Sequence, residues 1–176
     1  MAAEEREPAD GHGEGFYARV PLRSRCPLVP DLAGVTKLPY YWGDLDRHQA
    51  EALLQGSADG TFLLRNSALD GCSFAVTFRR LGLSLHIRVQ HRDGHFSFHR
   101  GGFRAASVPD LLQHYNDPKF CTFFEPLLSR PHIRNAPLSL QELCRAALNG
   151  SLTYDGIEDL PLPRAMRSYL RRCHYK

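Results

Sequence analysis

Thr61-Phe62-Leu63-Leu64-Arg65-Asn66-Ser67 decides the fold of this chain. Phe62, Leu63 and Leu64 form a short apolar run bounded by Asp59-Gly60 and by Asn66-Ser67, which predicts a strand buried on both faces. Arg65 sits at the inner end of that strand. A guanidinium is costly to bury unless a charged, planar partner meets it, and its rigid five-donor fork suits a phosphate bidentately. Ser67 and the polar turn Ala68 to Gly71 follow, with hydroxyl and N–H groups that could close around phosphate oxygens. The competing reading is an arginine paired with an internal carboxylate, or one lying in water at a strand end.

Working outward, Asp46 to about Gln55 predicts a helix, with Asp46 and Gln49 as a capping box, Ala50, Leu53 and Leu54 as its apolar stripe, and Gly56 as its stop. Arg47 lies in its first turn, off the stripe. After the key strand come Ser73 to Arg79, with Phe74, Val76 and Phe78 alternating, and Ser84 to Gln90, with Leu85, Ile87 and Val89 alternating. His86 and Arg88 share the other face of the latter, either offering positive charge or simply solvated. Gly94 turns the chain into Phe96-Ser97-Phe98. A second helix opens at Ser107 with Asp110 as capping-box partner; Val108, Leu111, Leu112 and Tyr115 form its core face, and Asp117-Pro118 ends it. Helix, strands, helix predicts an α+β unit: a central antiparallel sheet flanked by two helices.

Ahead of this unit, residues 1 to 15 are acidic, Gly-rich and expected to be flexible. Leu28, Leu32 and Val35 are spaced for a short helix opened by Pro30-Asp31. Behind it, Ser139 and Glu142 form a capping box for a helix whose Leu140, Leu143, Cys144, Ala147 and Leu148 share one face, ended by Asn149-Gly150. Ile157 to Pro163, with two prolines, is expected to run extended, and Pro163 to start a last helix with Met166, Tyr169, Leu170 and Cys173 on one face. About 45 residues with two such faces are too few to bury a core alone. The first unit or another protein must cover them, and periodicity alone favours the first unit.

The 176 residues carry a net charge of +3 with scattered Lys and Arg, which excludes a nucleic-acid footprint and fits a local anion pocket. No stretch approaches a membrane span, no signal-peptide pattern opens the chain, and the five cysteines are odd in number and widely spaced, so a reducing, cytoplasmic setting is expected. There is no P-loop, Gly-x-Ser-x-Gly, His-Glu-x-x-His or Gly-x-Gly-x-x-Gly, and no cofactor is expected. His86, His91, His95 and His99 lack nearby cysteines, so a histidine-rich strand pair is expected rather than zinc. An unfamiliar catalytic site around them is the least favoured reading.

Tyr40-Tyr41-Trp42-Gly43, the helix with Arg47 and Ala50-Glu51, the stretch Gly60 to Ser67 and the His86/Arg88 strand together resemble a Src homology 2 (SH2) domain. That resemblance implies phosphotyrosine-peptide binding, with Arg65 as the signature arginine, Arg47 flanking the phosphate, Ser67 bonding it from the turn, and His86 and Arg88 lining the wall. The tail resembles a SOCS box, a small all-α unit. Leu140, Leu143, Cys144 and Leu148 match its elongin B/C-binding element. Ile157, Leu160, Pro161, Leu162, Pro163, Met166, Tyr169 and Leu170 match its cullin-5 element.

The combination resembles the suppressor of cytokine signalling family. Asp155-Gly156-Ile157, Phe123-Phe124-Glu125-Pro126 and His174-Tyr175-Lys176 make it most like the subgroup of the fourth and fifth members. The implied division is a flexible segment 1–27, a short helical extension 28–39, an SH2 domain 40–131 and a SOCS box 132–176. The implied function is a non-catalytic adaptor of a ubiquitin ligase, joining a tyrosine-phosphorylated receptor or kinase to elongin B/C and to cullin-5 with its RING-box protein. The alternative is an SH2 competitor that blocks phosphotyrosine sites without recruiting a ligase. About 40 residues precede the SH2 region and no kinase-inhibitory segment is evident before Tyr40, so neither a long N-terminal extension's functions nor direct kinase inhibition is expected to carry over.

Overall fold

The computed structural model describes residues 29–67, 73–122 and 125–171. The expected flexible segment 1–27, Leu28, the turn Ala68 to Gly71, Phe123-Phe124 and Cys173 to Lys176 lie outside the described residues.

Strand β1 (Thr61–Asn66) pairs antiparallel with β2 (Phe74–Arg80), β2 with β3 (Leu83–Arg92), and β3 with β4 (His95–Ser97). A two-residue strand β5 (Arg130–Pro131) adds in parallel to the free edge of β1, giving the order β4-β3-β2-β1-β5. Tyr40 to Gly43 also runs along β1, with Trp42 N–H bonded to Leu64 C=O and Leu64 N–H to Tyr40 C=O. Alternation then explains why the run Phe62 to Leu64 of β1 is apolar at every position. Leu63 faces Ala50 and Leu54 of α2 (Arg47–Leu54). Phe62 and Leu64 face the main core, with Phe74, Val76, Val108, Leu111 and Leu112. The second of these layers includes α3 (Val108–His114), so the sheet is flanked by two helices as expected.

Both bonds of the Asp46/Gln49 capping box are present, at 2.8 and 3.1 Å. At α3 the box is not completed: Asp110, one methylene shorter than Glu, takes the Ser107 hydroxyl at 2.6 Å, while the first N–H, from Val108, goes to Asp31 at 2.6 Å. Asp31 stands at the N-cap position of the single turn α1 (Leu32–Val35) with a left-handed φ of 61° and makes no side-chain cap bond there, so Pro30 lies outside the helix it was expected to open. The apolar row of β3 is buried only at Val89; Ile87 is half-buried, and Leu85 and Leu83 are exposed. At ten residues β3 outruns the layer that covers it.

Two further corrections concern the tail. Helix α4 (Leu140–Ser151) has both capping-box bonds and runs through Asn149-Gly150, because the Asn149 side chain donates to Leu170 C=O at 3.2 Å instead of ending the helix. Its apolar stripe is not covered by the first unit. Leu140, Leu143, Cys144, Ala147 and Leu148 are all exposed, and the opposite face, Arg145, Ala146 and Asn149, is the buried one. Ala146 joins the core that holds Val29, Leu32, Val35 and Tyr41. Ile157 is not extended either. It lies in α5 (Tyr154–Glu158), capped by Thr153, and only Leu160 to Pro163 approach α6 (Arg164–Arg171) without helix. The prolines restrict their own and the preceding residues, which leaves Ile157 free to coil.

Candidate functional site

Arg65 shares a face of β1 with Leu63, the face toward α2, by the two-residue repeat. It is 7% exposed. Its Nε donates to the Thr77 hydroxyl at 3.1 Å and its Nη1 to the Asn66 carbonyl at 3.1 Å. Among the described residues no carboxylate pairs with it. Burial, then the charge of Arg47, lowers its pKa, while Asp46 and Glu51 oppose that shift. A guanidinium keeps its proton regardless, so the site holds a buried positive charge hydrogen-bonded, among the described residues, to neutral acceptors, with Asp46 and Glu51 acting only through space.

The neighbouring groups form a relay. Thr77 accepts from Arg65 and so turns its own hydrogen to His86 Nδ1 at 3.0 Å, which leaves Nε2–H to donate to Glu51 at 2.8 Å. The same Glu51 oxygen takes Arg47 Nε at 3.1 Å. Cross-strand register sets Arg65, Ala75 and Arg88 in one row, so Arg88 stands two strands, about 10 Å, from Arg65, exposed at the margin. Ser67 N–H donates to Ser73 C=O at 3.1 Å, joining the end of β1 to the start of β2. The expected anion-binding residues Arg65, Arg47 and His86 are thus gathered on one face, with Arg88 at its rim and Ser67 at the strand end.

Thr77 and Glu51 were missed as participants. Thr77 is the one hydroxyl inside the buried run of β2, and Glu51 is spaced i, i+4 from Arg47, a pattern that marks a helix-surface ion pair. A third feature, also unforeseen, is a stack of Phe103, His114 and Phe120 with ring centroids 3.7 and 4.0 Å apart and both phenylalanines partly exposed.

The histidine run is dispersed: His86 to Glu51, His91 against Phe96, His95 to Asp93 C=O, His99 to Glu125. Among the described residues no group of three His, Cys, Asp or Glu could hold a metal, and no helix is long and apolar enough to cross a membrane.

A pH dependence follows from this geometry. Burial, the leading cause, together with Arg47 and Arg65, pushes the His86 pKa below its ordinary 6.5 against the pull of Glu51, and burial does the same to His91. The unfolded chain therefore binds protons that the folded chain refuses. Stability is intact above the unfolded value and falls as pH drops from about 6.5 through the depressed values. Glu51, its pKa lowered by the His86 and Arg47 hydrogen bonds, acts in the same sense below about 4.5. Thermal midpoints should fall on acidification from pH 7 to 5.5, and less steeply in His86→Gln; a rise on acidification, or identical slopes in both proteins, would contradict this.

On the tail, Leu140 is 76% exposed, Leu143 43% and Met166 53%. Ile157 and Leu170 are buried, so of the expected cullin-5 element these two pack within the chain. Pro161 and Pro163 are exposed, Leu160, Leu162 and Tyr169 are half-buried, and Arg167 donates to the Glu158 carbonyl at 2.9 Å, tying α6 to α5.

A family model described as SH2 domain matches residues 40–115, and one described as SOCS box matches residues 136–171. Suppressor of cytokine signaling 4 of Homo sapiens is 49% identical over 152 residues, covering 85% of this chain and 34% of that protein. Suppressor of cytokine signaling 5 of Homo sapiens is 49% identical over 152 residues, covering 85% and 28%. Suppressor of cytokine signaling 6 of Mus musculus is 33% identical over 164 residues, covering 84% and 31%. The chain spans about a third of the length of the curated relatives it matches. With an arginine-centred site on the sheet, a tail helix whose apolar face points outward, and both family models matched in order, the chain belongs to the suppressor of cytokine signalling family.

Proposed function

We propose that the chain is a non-catalytic adaptor with two binding ends, residues 40–131 reading phosphotyrosine and residues 132–176 recruiting a ubiquitin ligase, with 28–39 packed between them. What supports the first end most is Arg65. A buried guanidinium with no carboxylate partner among the described residues, beside Arg47 and His86, suits an incoming group of about −1.5 to −2 charge with several acceptor oxygens. Phosphate would compete with Glu51 for Arg47, while Ser67 and Arg88 act from the rim. The Phe103, His114 and Phe120 stack and half-buried Ile87 suit an apolar residue elsewhere on the same peptide.

For the second end, Leu140, Leu143, Cys144 and Leu148 form the elongin B/C surface. Leu140, 76% exposed, forgoes most of the roughly 1.5–3 kcal/mol that full burial of a leucine is worth, and Leu143 and Leu148 a smaller part, which a partner groove would recover. Leu160, Pro161, Leu162, Pro163, Met166 and Tyr169 offer a surface to cullin-5, and Ile157 and Leu170 hold it from within. Captured receptor or kinase would then be ubiquitinated by the ligase's other subunits in the cytoplasm, suppressing cytokine or growth-factor signalling. The outward stripe favours this over a competitor without ligase recruitment.

Affinity capture from phosphatase-inhibited lysate, with wild-type and Arg65→Lys baits read by mass spectrometry, tests the proposal. Both baits should retain elongin B/C and cullin-5, and only wild type should retain tyrosine-phosphorylated proteins. Phosphoproteins without elongin would favour the competitor; neither class on wild type would refute both readings.

A further inference from the structure

The two ends meet at one charged joint. Arg145, on the buried face of α4 and 8% exposed, donates from Nη2 to Asp44 Oδ2 at 2.7 Å. Its Cζ also lies 5.2 Å from the ring centroid of Tyr169 on α6. The other Asp44 oxygen, Oδ1, accepts from Asn66 Nδ2 at 2.5 Å. Asn66 is in turn held by the Tyr41 hydroxyl at 2.6 Å, and its carbonyl takes Arg65 Nη1 at 3.1 Å. Asp44 therefore divides its oxygens between the strand that carries Arg65 and the helix that carries the outward stripe.

The neighbouring backbone is shaped for the same contact. Gly43 has φ of +64°, a left-handed conformation that favours glycine, and a Cβ there would also push on Glu142 Oε1 of α4 at 2.6 Å, so this turn lies directly against the helix. The remaining contact around it is mostly apolar, with Val29, Leu32, Leu138 and Ala146, plus one long backbone bond from Val29 N–H to Asn149 C=O at 3.4 Å. Apolar contact is non-directional and tolerates sliding, whereas a charge-assisted arginine–carboxylate bond is directional, here between a buried Arg145 and an Asp44 whose side chain is 53% exposed.

From this we infer that Asp44 and Arg145 are positioning residues of the adaptor: their ion pair fixes the angle between the Arg65 pocket and the outward face of α4, and so where a captured protein stands relative to the recruited ligase. This rests on the adaptor reading above. Neither residue belongs to the proposed phosphate or elongin B/C contacts, so loosening the joint changes geometry while both affinities persist.

The test uses the full chain bound to elongin B/C labelled with an acceptor dye, and a donor-labelled phosphotyrosine peptide selected on the wild-type chain from a random-sequence pool. Single-molecule energy transfer reports the distance distribution between the ends. Wild type should give one narrow distribution and Arg145→Met a broadened one, with both dissociation constants within about two-fold of wild type. The charge swap Asp44→Arg with Arg145→Asp should narrow it again, and ubiquitin transfer to the peptide in the reconstituted ligase should fall several-fold in Arg145→Met and recover in the swap. An unchanged distribution in Arg145→Met, with wild type binding both probes, overturns the joint alone. So does loss of binding that the swap fails to restore, which would make the pair a fold requirement. A wild-type chain that binds neither probe overturns the adaptor reading and the joint with it.

Discussion

Arg65→Lys is expected to weaken phosphotyrosine-peptide binding by about 100-fold or more while leaving the thermal midpoint nearly unchanged. Arg65 already uses Nε on Thr77 and Nη1 on the Asn66 carbonyl, which aims the rest of a planar fork into the site. Lysine keeps the charge but has one nitrogen, set on a flexible stem, and cannot both hold Thr77 and present two parallel donors to a phosphate. Losing two charge-assisted hydrogen bonds at about 1.5 kcal/mol each gives roughly that factor. Arg88, exposed at the rim, makes the comparison informative: Arg88→Ala should cost less than about tenfold, because an exposed charge pair is worth about 0–1 kcal/mol. Titration of one labelled phosphopeptide against both variants checks this, and equal losses would remove Arg65 from the centre of the site.

Leu140→Asp should abolish elongin B/C capture and spare both the fold and phosphopeptide binding. Periodicity alone would make this residue core, where a carboxylate would wreck the protein. At 76% exposed it has nothing to lose within the chain, and substitutions at such positions usually change stability by no more than about 0.5 kcal/mol. In an apolar partner groove the same carboxylate would be buried without a partner, at a cost of several kcal/mol. The checks are co-purification with elongin B/C, a melting curve and a phosphopeptide titration on one preparation. If peptide binding or the melting transition collapsed together with elongin capture, the stripe would be internal packing.

The contrast at Leu140 shows what kind of information a sequence carries. Spacing assigns Leu140, Leu143, Cys144, Ala147 and Leu148 to one face of a helix, and they are on one face; it does not say what covers that face. Nothing in the residues beside Arg145 signals its burial; it is buried because Asp44 and Tyr169 meet it from segments about 100 and 24 residues away. Thr77 and Glu51 escape notice for the same reason: their partners, Arg65 and His86, come from other elements. What is local was legible. The capping boxes at Asp46 and Ser139, the apolar strand around Leu63 and the arginine within it all follow from neighbours a few residues apart. Ile157 is helical against expectation because the prolines at 161 and 163 restrict only themselves and the residues just before them.

If one chain carries two independent binding surfaces, a phosphotyrosine peptide titrated into the purified complex of this chain with elongin B/C should bind one per complex, with the affinity of the chain alone and with elongin B/C retained through gel filtration. Displacement of elongin by peptide, or a peptide that binds only the elongin-free chain, would contradict it.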